Sequence, residues 1–206
     1  MTKSLDTIFA SSDLHLGHKN VLKYDGRPFD DIETHDAAIE TNFLSVMPRG
    51  STLILVGDIA IESQWKKGVE FILKLKQHGI TTILVKGNHD KQLLKKTKND
   101  PGLFHMVRDV LFMSVEDYQF FFSHYSHRVW PNSQYGSIYA YGHSHGALPQ
   151  WGRSTDVCVN QNGYKPLKLR EIVEMVSHHD PIHHHVPETL PTPQVSHCNF
   201  NAVHGI

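Results

Sequence analysis

The sequence predicts one layered α/β domain, and two observations support this prediction. In the first half, short apolar runs alternate with amphipathic helical patterns, which indicates strand–helix–strand units with parallel strand pairing. In the second half, runs rich in β-branched and aromatic residues are separated by turn residues, which favours strands. The chain has 206 residues, 39% of them hydrophobic, which is enough for one domain with a sizeable core.

The first predicted unit is a strand followed by a helix. The run TIFAS at 7–11 is apolar and short, as in a buried strand. A helix is predicted over 34–47, because Ile39 and Phe43 recur at helical spacing on one face. Thr34 is the expected N-cap of this helix.

A second unit of the same kind follows. The run TLILVGD at 52–58 predicts a buried strand, and the amphipathic pattern at 63–79 predicts a helix. Gly79 fits the position just after the helix C-terminus, where a left-handed residue is favoured. The run ITTILVKGN at 80–88 is the third predicted strand, and it completes two consecutive strand–helix–strand units.

The second half predicts mostly strands. The stretch 110–126 is predicted to form a hairpin around Glu116–Asp117. The stretch 136–145 reads as a strand ending in polar residues, and 155–169 as one more strand with a turn. A short closing helix is predicted at 168–179.

We expect the domain to span residues 1–177 and residues 178–206 to form a His/Pro-rich tail or an irregular wrap. Seven of the 17 histidines lie between His178 and His204, and this stretch shows no periodicity. A lid over the site and a store of metal ions are the alternatives for this segment.

Composition excludes several classes of protein. The formal net charge of -1 gives no overall field that would collect nucleic acid or anionic membrane. No run approaches the roughly 20 apolar residues that span a bilayer, so we expect no membrane partner. The first apolar run is too short for a secretory signal, and two cysteines do not make a disulfide framework. We therefore expect a cytoplasmic protein.

Side chains that can bind metal follow five of the predicted strands. They are Asp13, His15 and His18 in ASSDLHLGH, Asp58 in LVGDIA, Asn88, His89 and Asp90 in VKGNHD, His124 in FFSHYSH, and His143 and His145 in AYGHSHG. In open α/β sheets the carboxyl ends of the strands form the ligand-binding edge, so these residues are expected to meet there.

The residue types define the metal chemistry. Carboxylates, imidazoles and one amide, with no thiolate, suit Mn²⁺, Fe²⁺, Co²⁺, Ni²⁺ or Zn²⁺ and argue against an iron–sulfur cluster. There are enough ligands for two ions, and two ions about 3.5–4 Å apart form a clamp for displacement at phosphorus. Asp58 is the natural bridge between them, since a carboxylate has two oxygens. A glycine precedes the ligand in GD, GN and GH, which allows a tight turn and close approach to an ion.

The ordered series D-x-H, GD, GNHD, H and GH-x-H between Asp13 and His145 resembles the calcineurin-like metallophosphoesterases. The stretch SDLHLGHKNVLKYDGRPF is similar to small bacterial and phage phosphoesterases of that superfamily. The resemblance implies a four-layer α/β/β/α sandwich and a dinuclear metal-dependent phosphoesterase. Mn²⁺ is the preferred metal, with Fe, Ni, Zn, Co and Mg as alternatives.

The resemblance also implies a role for each residue. One ion would be held by Asp13, His15 and His145, the other by Asn88, His124 and His143, with Asp58 shared. A hydroxide bridging the ions would attack phosphorus. His89 would protonate the leaving oxygen, and Asp90 would orient His89.

The substrate is less well determined by the sequence. His18, Asn20 and Arg27 could line the substrate pocket, and the planar guanidinium of Arg27 suits phosphate oxygens. The alternatives are structural support for His18 and a surface ion pair for Arg27. A small domain without a capping domain favours a phosphodiester, with nucleotides and nucleic acids as candidates. A monoesterase and a non-catalytic scaffold are the alternative functions, and the oligomeric state stays open.

Overall fold

The computed structural model describes residues 4–98, 100 and 102–182. In these residues the strands are β1 (Ile8–Ser11), β2 (Thr52–Leu55), β3 (Thr81–Val85), β4 (Met106–Arg108), β5 (Val110–Val115), β6 (Tyr118–Ser123), β7 (Ile138–Tyr141), β8 (Ser154–Asp156) and β9 (Leu167–Lys168). The α-helices are α1 (Val21–Tyr24), α2 (Ile32–Val46), α3 (Trp65–Gln77), α4 (Lys91–Thr97) and α5 (Leu169–Val176).

The strands form two sheets that pack face to face. The first sheet has the order β4-β3-β2-β1-β9, in which β1 to β4 are parallel and β9 is antiparallel to β1. The second has the order β5-β6-β7-β8, with an antiparallel hairpin followed by parallel pairs. Helices flank the sheets, which confirms the predicted α/β sandwich class.

The alternation of side chains along each strand divides the core. On one face of the first sheet, Phe9 and Leu53 pack with Phe43 of α2 and Phe71 of α3. The side chains that point the other way, such as Ala10 in β1, meet the second sheet and α5 in a core that lies between the sheets. Because the first sheet is buried on both faces, the sequences of its parallel strands are continuous apolar runs.

The outer face of the second sheet has a separate aromatic cluster. Phe121, Tyr139 and Tyr141 pack with Trp130, which arrives from the β6–β7 connection. Ile182 also packs against this cluster. The start of the predicted tail therefore lies against the domain, whereas the rest of it, residues 183–206, lies outside the described residues.

Most predicted elements are confirmed, with two corrections. Helix α2 begins at Ile32 rather than at 34, and its N-cap is Asp31, whose carboxylate accepts a hydrogen bond from the Thr34 backbone N–H at 2.7 Å. The predicted strand in 155–169 is instead two short ones, β8 and β9, in different sheets. Among the described residues, no helix has both the length and the apolar character needed to cross a membrane.

Candidate metal centre

The five polar motifs lie together at one edge of the two sheets. They follow β1, β2, β3, β6 and β7, each at the carboxyl end of a strand. Hydrogen bonds fasten the loops to one another. The His143 N–H donates to Asp13 Oδ2 at 2.9 Å, and the His89 N–H donates to Asp58 Oδ1 at 2.9 Å. The two carboxylates thus hold neighbouring loops while keeping their other oxygens free to face the centre.

The backbone is strained at most of the positions that face this centre. The residues with left-handed backbone, φ between 50° and 66°, are Asp13, His15, Asp58, His143 and His145. Such conformations cost about 1–3 kcal/mol each and persist where the surrounding structure fixes them, commonly at functional sites. The sequence gives no direct sign of this strain, because none of the five is a glycine and aspartate and histidine adopt negative φ at most positions.

Glycines make room where the loops cross. Gly57 has φ of 89°, and a Cβ there would lie 2.5 Å from His124 Nδ1. A Cβ on Gly87 would lie 2.2 Å from Asp58 Oδ1. Both glycines precede a predicted ligand, and their lack of a Cβ lets the loops approach each other closely, whereas the approach to an ion stays a prediction.

One half of the centre contains His15, His145 and Asp13. The two imidazole Nε2 atoms face each other at 3.3 Å, and His145 Nε2 lies 3.4 Å from Asp13 Oδ1. Asp13 Oδ1 is buried and has no hydrogen-bond partner. A buried carboxylate oxygen that accepts no hydrogen bond is costly, so this arrangement fits a bound cation.

The other half contains His124, Asn88 and His143. His124 Nε2 lies 3.0 Å from Asn88 Oδ1 and 3.4 Å from Asp58 Oδ2. Ligand atoms of Asp58, His124 and His143 all lie within 4.8 Å of one another. The same Oδ2 of Asp58 is 3.8 Å from His15 Nε2, so Asp58 lies between the two halves.

Hydrogen bonds on the far side of two rings fix their tautomers. His124 Nδ1 donates to the Val56 carbonyl at 2.9 Å, and His145 Nδ1 donates to Asp25 Oδ2 at 2.6 Å. Since a carbonyl and a carboxylate only accept, both Nδ1 atoms carry the proton. Each Nε2 can therefore offer a lone pair to the centre.

The charges of the site suit divalent ions. Burial lowers the pKa of His15 to about 3, which keeps this imidazole neutral. Burial opposes ionisation of Asp58, yet the hydrogen bond and charge of His124 hold its pKa at about 2. The pKa of His124 is about 9 and that of His145 about 10, because neighbouring carboxylates outweigh the effect of burial. A bound cation would replace these protons.

A buried cysteine lies next to this site. The Cys158 sulfur is within 4.8 Å of ligand atoms of Asp13 and His145. Burial raises the pKa of its thiol well above the usual value, which opposes formation of a thiolate. The predicted ligands supply nitrogen and oxygen, a set that suits first-row divalent ions.

Comparison with known proteins identifies the family. The model of the calcineurin-like phosphoesterase family matches residues 7–203. The chain belongs to this family. The resemblance seen in the five motifs is thereby confirmed, and the two-sheet architecture agrees with it.

Relatives of this phosphoesterase chain add little about its activity. The uncharacterized protein MJ1445 of Methanocaldococcus jannaschii is 30% identical over 88 residues, which are 43% of this chain and 49% of that protein. The chain thus spans about half the length of this curated relative. The crystal structure of AQ665 from Aquifex aeolicus, a protein of unknown function, has a TM-score of 0.62 and 23% identity. That match covers 82% of this chain and 98% of AQ665, and it supports the fold.

A third similar structure is described as a novel archaeal phosphodiesterase. It is 17% identical, with a TM-score of 0.41, and the match covers 73% of this chain and 81% of that one. A score this low supports no inference about the function of the present chain.

The structure corrects the predicted role of Asp90. Its two carboxylate oxygens accept hydrogen bonds from the backbone N–H groups of Asp58, Ile59 and Gly87, at 3.0, 3.1 and 2.8 Å. They are therefore occupied with the backbone of two metal-centre loops and do not orient the His89 ring. His89 itself lies beside the centre, with its ring centroid 5.4 Å from that of His15 and its Nδ1 buried without a partner. One of its ring nitrogens is within 4.8 Å of ligand atoms of His15 and Asp58.

The three predicted pocket residues lie in different environments. The His18 ring is partly exposed, 5.4 Å from that of His15 and 6.4 Å from that of His89, so it borders the centre. Asn20 is exposed at the start of α1, where its side chain makes no capping hydrogen bond. Arg27 is 4% exposed and bonds to protein groups, so the expectation that it contacts phosphate is wrong.

Two residues near the centre were missed by the sequence reasoning. Asp25 is the partner of His145, and Tyr125 lies with its ring 4.6 Å from that of His143. Tyr125 follows a predicted ligand directly, which was a usable signal. Asp25 had none, because its contact with His145 spans 120 positions.

Proposed function

We propose that this protein is a dinuclear metal-dependent phosphoesterase that hydrolyses a phosphodiester. One observation carries the proposal: Asp58 lies between two groups of nitrogen and oxygen ligands, one of which includes a buried carboxylate oxygen that accepts no hydrogen bond. The residues that would hold the ions are Asp13, His15 and His145 on one side, Asn88, His124 and His143 on the other, and Asp58 between them.

Each of these residues has a definite task in the proposal. When bound, the two ions would neutralise phosphate charge and lower the pKa of water to about 7. His89 stands beside His15 at the centre, where it would donate a proton to the leaving oxygen. His18 borders the same space and would contact the substrate. Asp90 and the glycines keep the loops in place.

The preference for a diester is supported by the edge of the site. His143 is exposed, and Tyr125 beside it is 52% exposed. This edge of the centre is therefore open to solvent, and the Tyr125 ring would offer a second substituent on phosphorus an aromatic surface. Nucleotides and nucleic acids are the natural candidates, because every base has a face that stacks on an aromatic ring.

Two alternatives remain testable. A phosphomonoesterase would use the same centre with a smaller substrate. A non-catalytic scaffold would have no need for a complete centre, whereas all seven ligand positions here carry metal-binding side chains. This completeness favours an enzyme over a scaffold.

The test is hydrolysis of two chromogenic esters, bis-p-nitrophenyl phosphate and p-nitrophenyl phosphate. Each is assayed with Mn²⁺ first, then Ni²⁺, Zn²⁺ and Mg²⁺, and Asp58→Asn serves as the control. Metal-dependent turnover of the diester that Asp58→Asn abolishes is the expected result. Turnover of the monoester alone would establish the phosphatase alternative, and no turnover despite two bound ions would favour the scaffold.

A further inference from the structure

Asp25 connects the metal centre to a buried hydrogen-bond network. Its Oδ2 atom accepts three hydrogen bonds: from His145 Nδ1 at 2.6 Å, from Arg27 Nε at 3.0 Å and from Arg27 Nη2 at 2.9 Å. The Asp25 side chain is 10% exposed. It follows α1 directly, as the C-cap residue of that short helix.

Arg27 is fully engaged by the protein. Besides Asp25, it donates to the backbone carbonyls of Asp13 at 2.9 Å and Leu14 at 3.1 Å, and it contacts His35 Nε2 at 2.9 Å. These bonds use all five N–H donors of a guanidinium group. Asp25 is therefore held in one orientation, and the group that holds it also fixes the loop carrying Asp13.

The two halves of the metal centre differ in the group that accepts a hydrogen bond from the Nδ1 atom of a predicted ligand. His145 has a carboxylate behind its ring, whereas His124 in the other half has the neutral carbonyl of Val56. A carboxylate partner fixes the orientation of a ligating imidazole and makes its other nitrogen a stronger donor to metal. The difference predicts unequal affinities at the two positions.

We propose that Asp25, held by Arg27, is a positioning residue that strengthens metal binding at the position formed by Asp13, His15 and His145, and not at the position formed by Asn88, His124 and His143. The inference rests on the proposed function, since it assumes that these residues bind two ions. It assigns Asp25 no contact with substrate.

The test measures Mn²⁺ binding by calorimetry on the metal-free full chain, with electron paramagnetic resonance to distinguish single ions from coupled pairs. The wild type is expected to bind two ions in two steps of different affinity. Asp25→Asn should weaken one step by about 10- to 100-fold and leave the other unchanged. Coupled pairs should then appear only at higher Mn²⁺ concentration.

Two backgrounds show which position is affected. In Asn88→Ala, the position that contains Asp13 dominates binding, and adding Asp25→Asn should reduce the remaining affinity by the same factor. In His145→Ala, the partner of Asp25 is gone, and adding Asp25→Asn should change nothing further. Asp31→Asn is a matched control, because it removes an exposed carboxylate that caps α2 and touches no metal ligand.

Circular dichroism and thermal unfolding check that each variant is folded. Asp25→Glu is a conservative second variant, and it should retain more of the Mn²⁺ affinity than Asp25→Asn. Equal weakening of both steps, or no weakening of either, would overturn the inference. Two bound ions without turnover of any ester would refute the proposed function and leave this inference in place. If the protein hydrolyses an ester, binds both ions with equal affinity and keeps these affinities in Asp25→Asn, the proposed function would stand and this inference would be refuted.

Discussion

At the scale of single residues, placement rather than residue type decides each role. Asp13, Asp58 and Asp90 are all buried carboxylates in ligand motifs, yet Asp13 keeps one oxygen unpartnered while Asp90 gives both to backbone N–H groups. The order of the motifs was enough to predict the ligand candidates. It did not predict the bonding of Asp90 or Arg27, because their partners come from other loops.

His89 is predicted to act in chemistry and not in metal binding. His89→Ala should lower kcat for bis-p-nitrophenyl phosphate by about 10²- to 10⁴-fold, the contribution of a positioned general acid. The measurement is steady-state kinetics together with the Mn²⁺ content of the purified variant. Because a ring nitrogen of His89 lies within 4.8 Å of ligand atoms of His15 and Asp58, loss of an ion in this variant would instead show that His89 is a ligand.

Arg27 is predicted to serve stability. Arg27→Met removes the buried cation that donates two hydrogen bonds to Asp25 and leaves His145 as the remaining charged partner of this carboxylate, which should reduce the free energy of unfolding by about 3–5 kcal/mol. Urea unfolding of the metal-free protein measures this change. Unchanged stability combined with a higher KM for the diester would instead restore the phosphate-binding role.

At the scale of elements, the length of a helix or strand determined whether the sequence predicted it. Helices α2 and α3 and strands β1 to β3 are long or apolar enough to show their period in the sequence. Strand β9 has two residues, too few to show any alternation, and it is defined by pairing with β1.

The start of α2 gives a prediction at this scale. Asp31→Ala should lower the free energy of unfolding, because its carboxylate caps the Thr34 N–H at the start of α2. Thr34→Ala should cost less, since the Thr34 hydroxyl only donates to the exposed Asp31 carbonyl. Urea unfolding of the two variants side by side is the measurement, and the reverse order would show that Thr34 is the cap after all.

At the scale of the whole molecule, the parallel strands explain how the site forms. The predicted ligands run from Asp13 to His145, and they meet because the strands that carry them end at one edge. This much was predictable from the sequence. The left-handed backbone at five ligand positions was not, because it depends on loops locking one another in three dimensions.

Because the ligands come from five separate loops, metal binding should stabilise the whole domain. Mn²⁺ at 100 times its dissociation constant should add about 2.7 kcal/mol to the free energy of unfolding for each site. Thermal unfolding with Mn²⁺ and with EDTA measures this effect. Asp58→Asn should show a much smaller shift, and a shift equal to that of the wild type would place the bound ions elsewhere.

The central claim is that two ions bound at Asp58 are required for diester hydrolysis. The most direct test titrates the metal-free protein with Mn²⁺ and follows bound ions and bis-p-nitrophenyl phosphate turnover in the same samples. We expect turnover to rise as the second ion binds, to level off at two ions per chain, and to be lost in Asp58→Asn. Full turnover with one ion or none, or undiminished turnover in Asp58→Asn, would contradict the account.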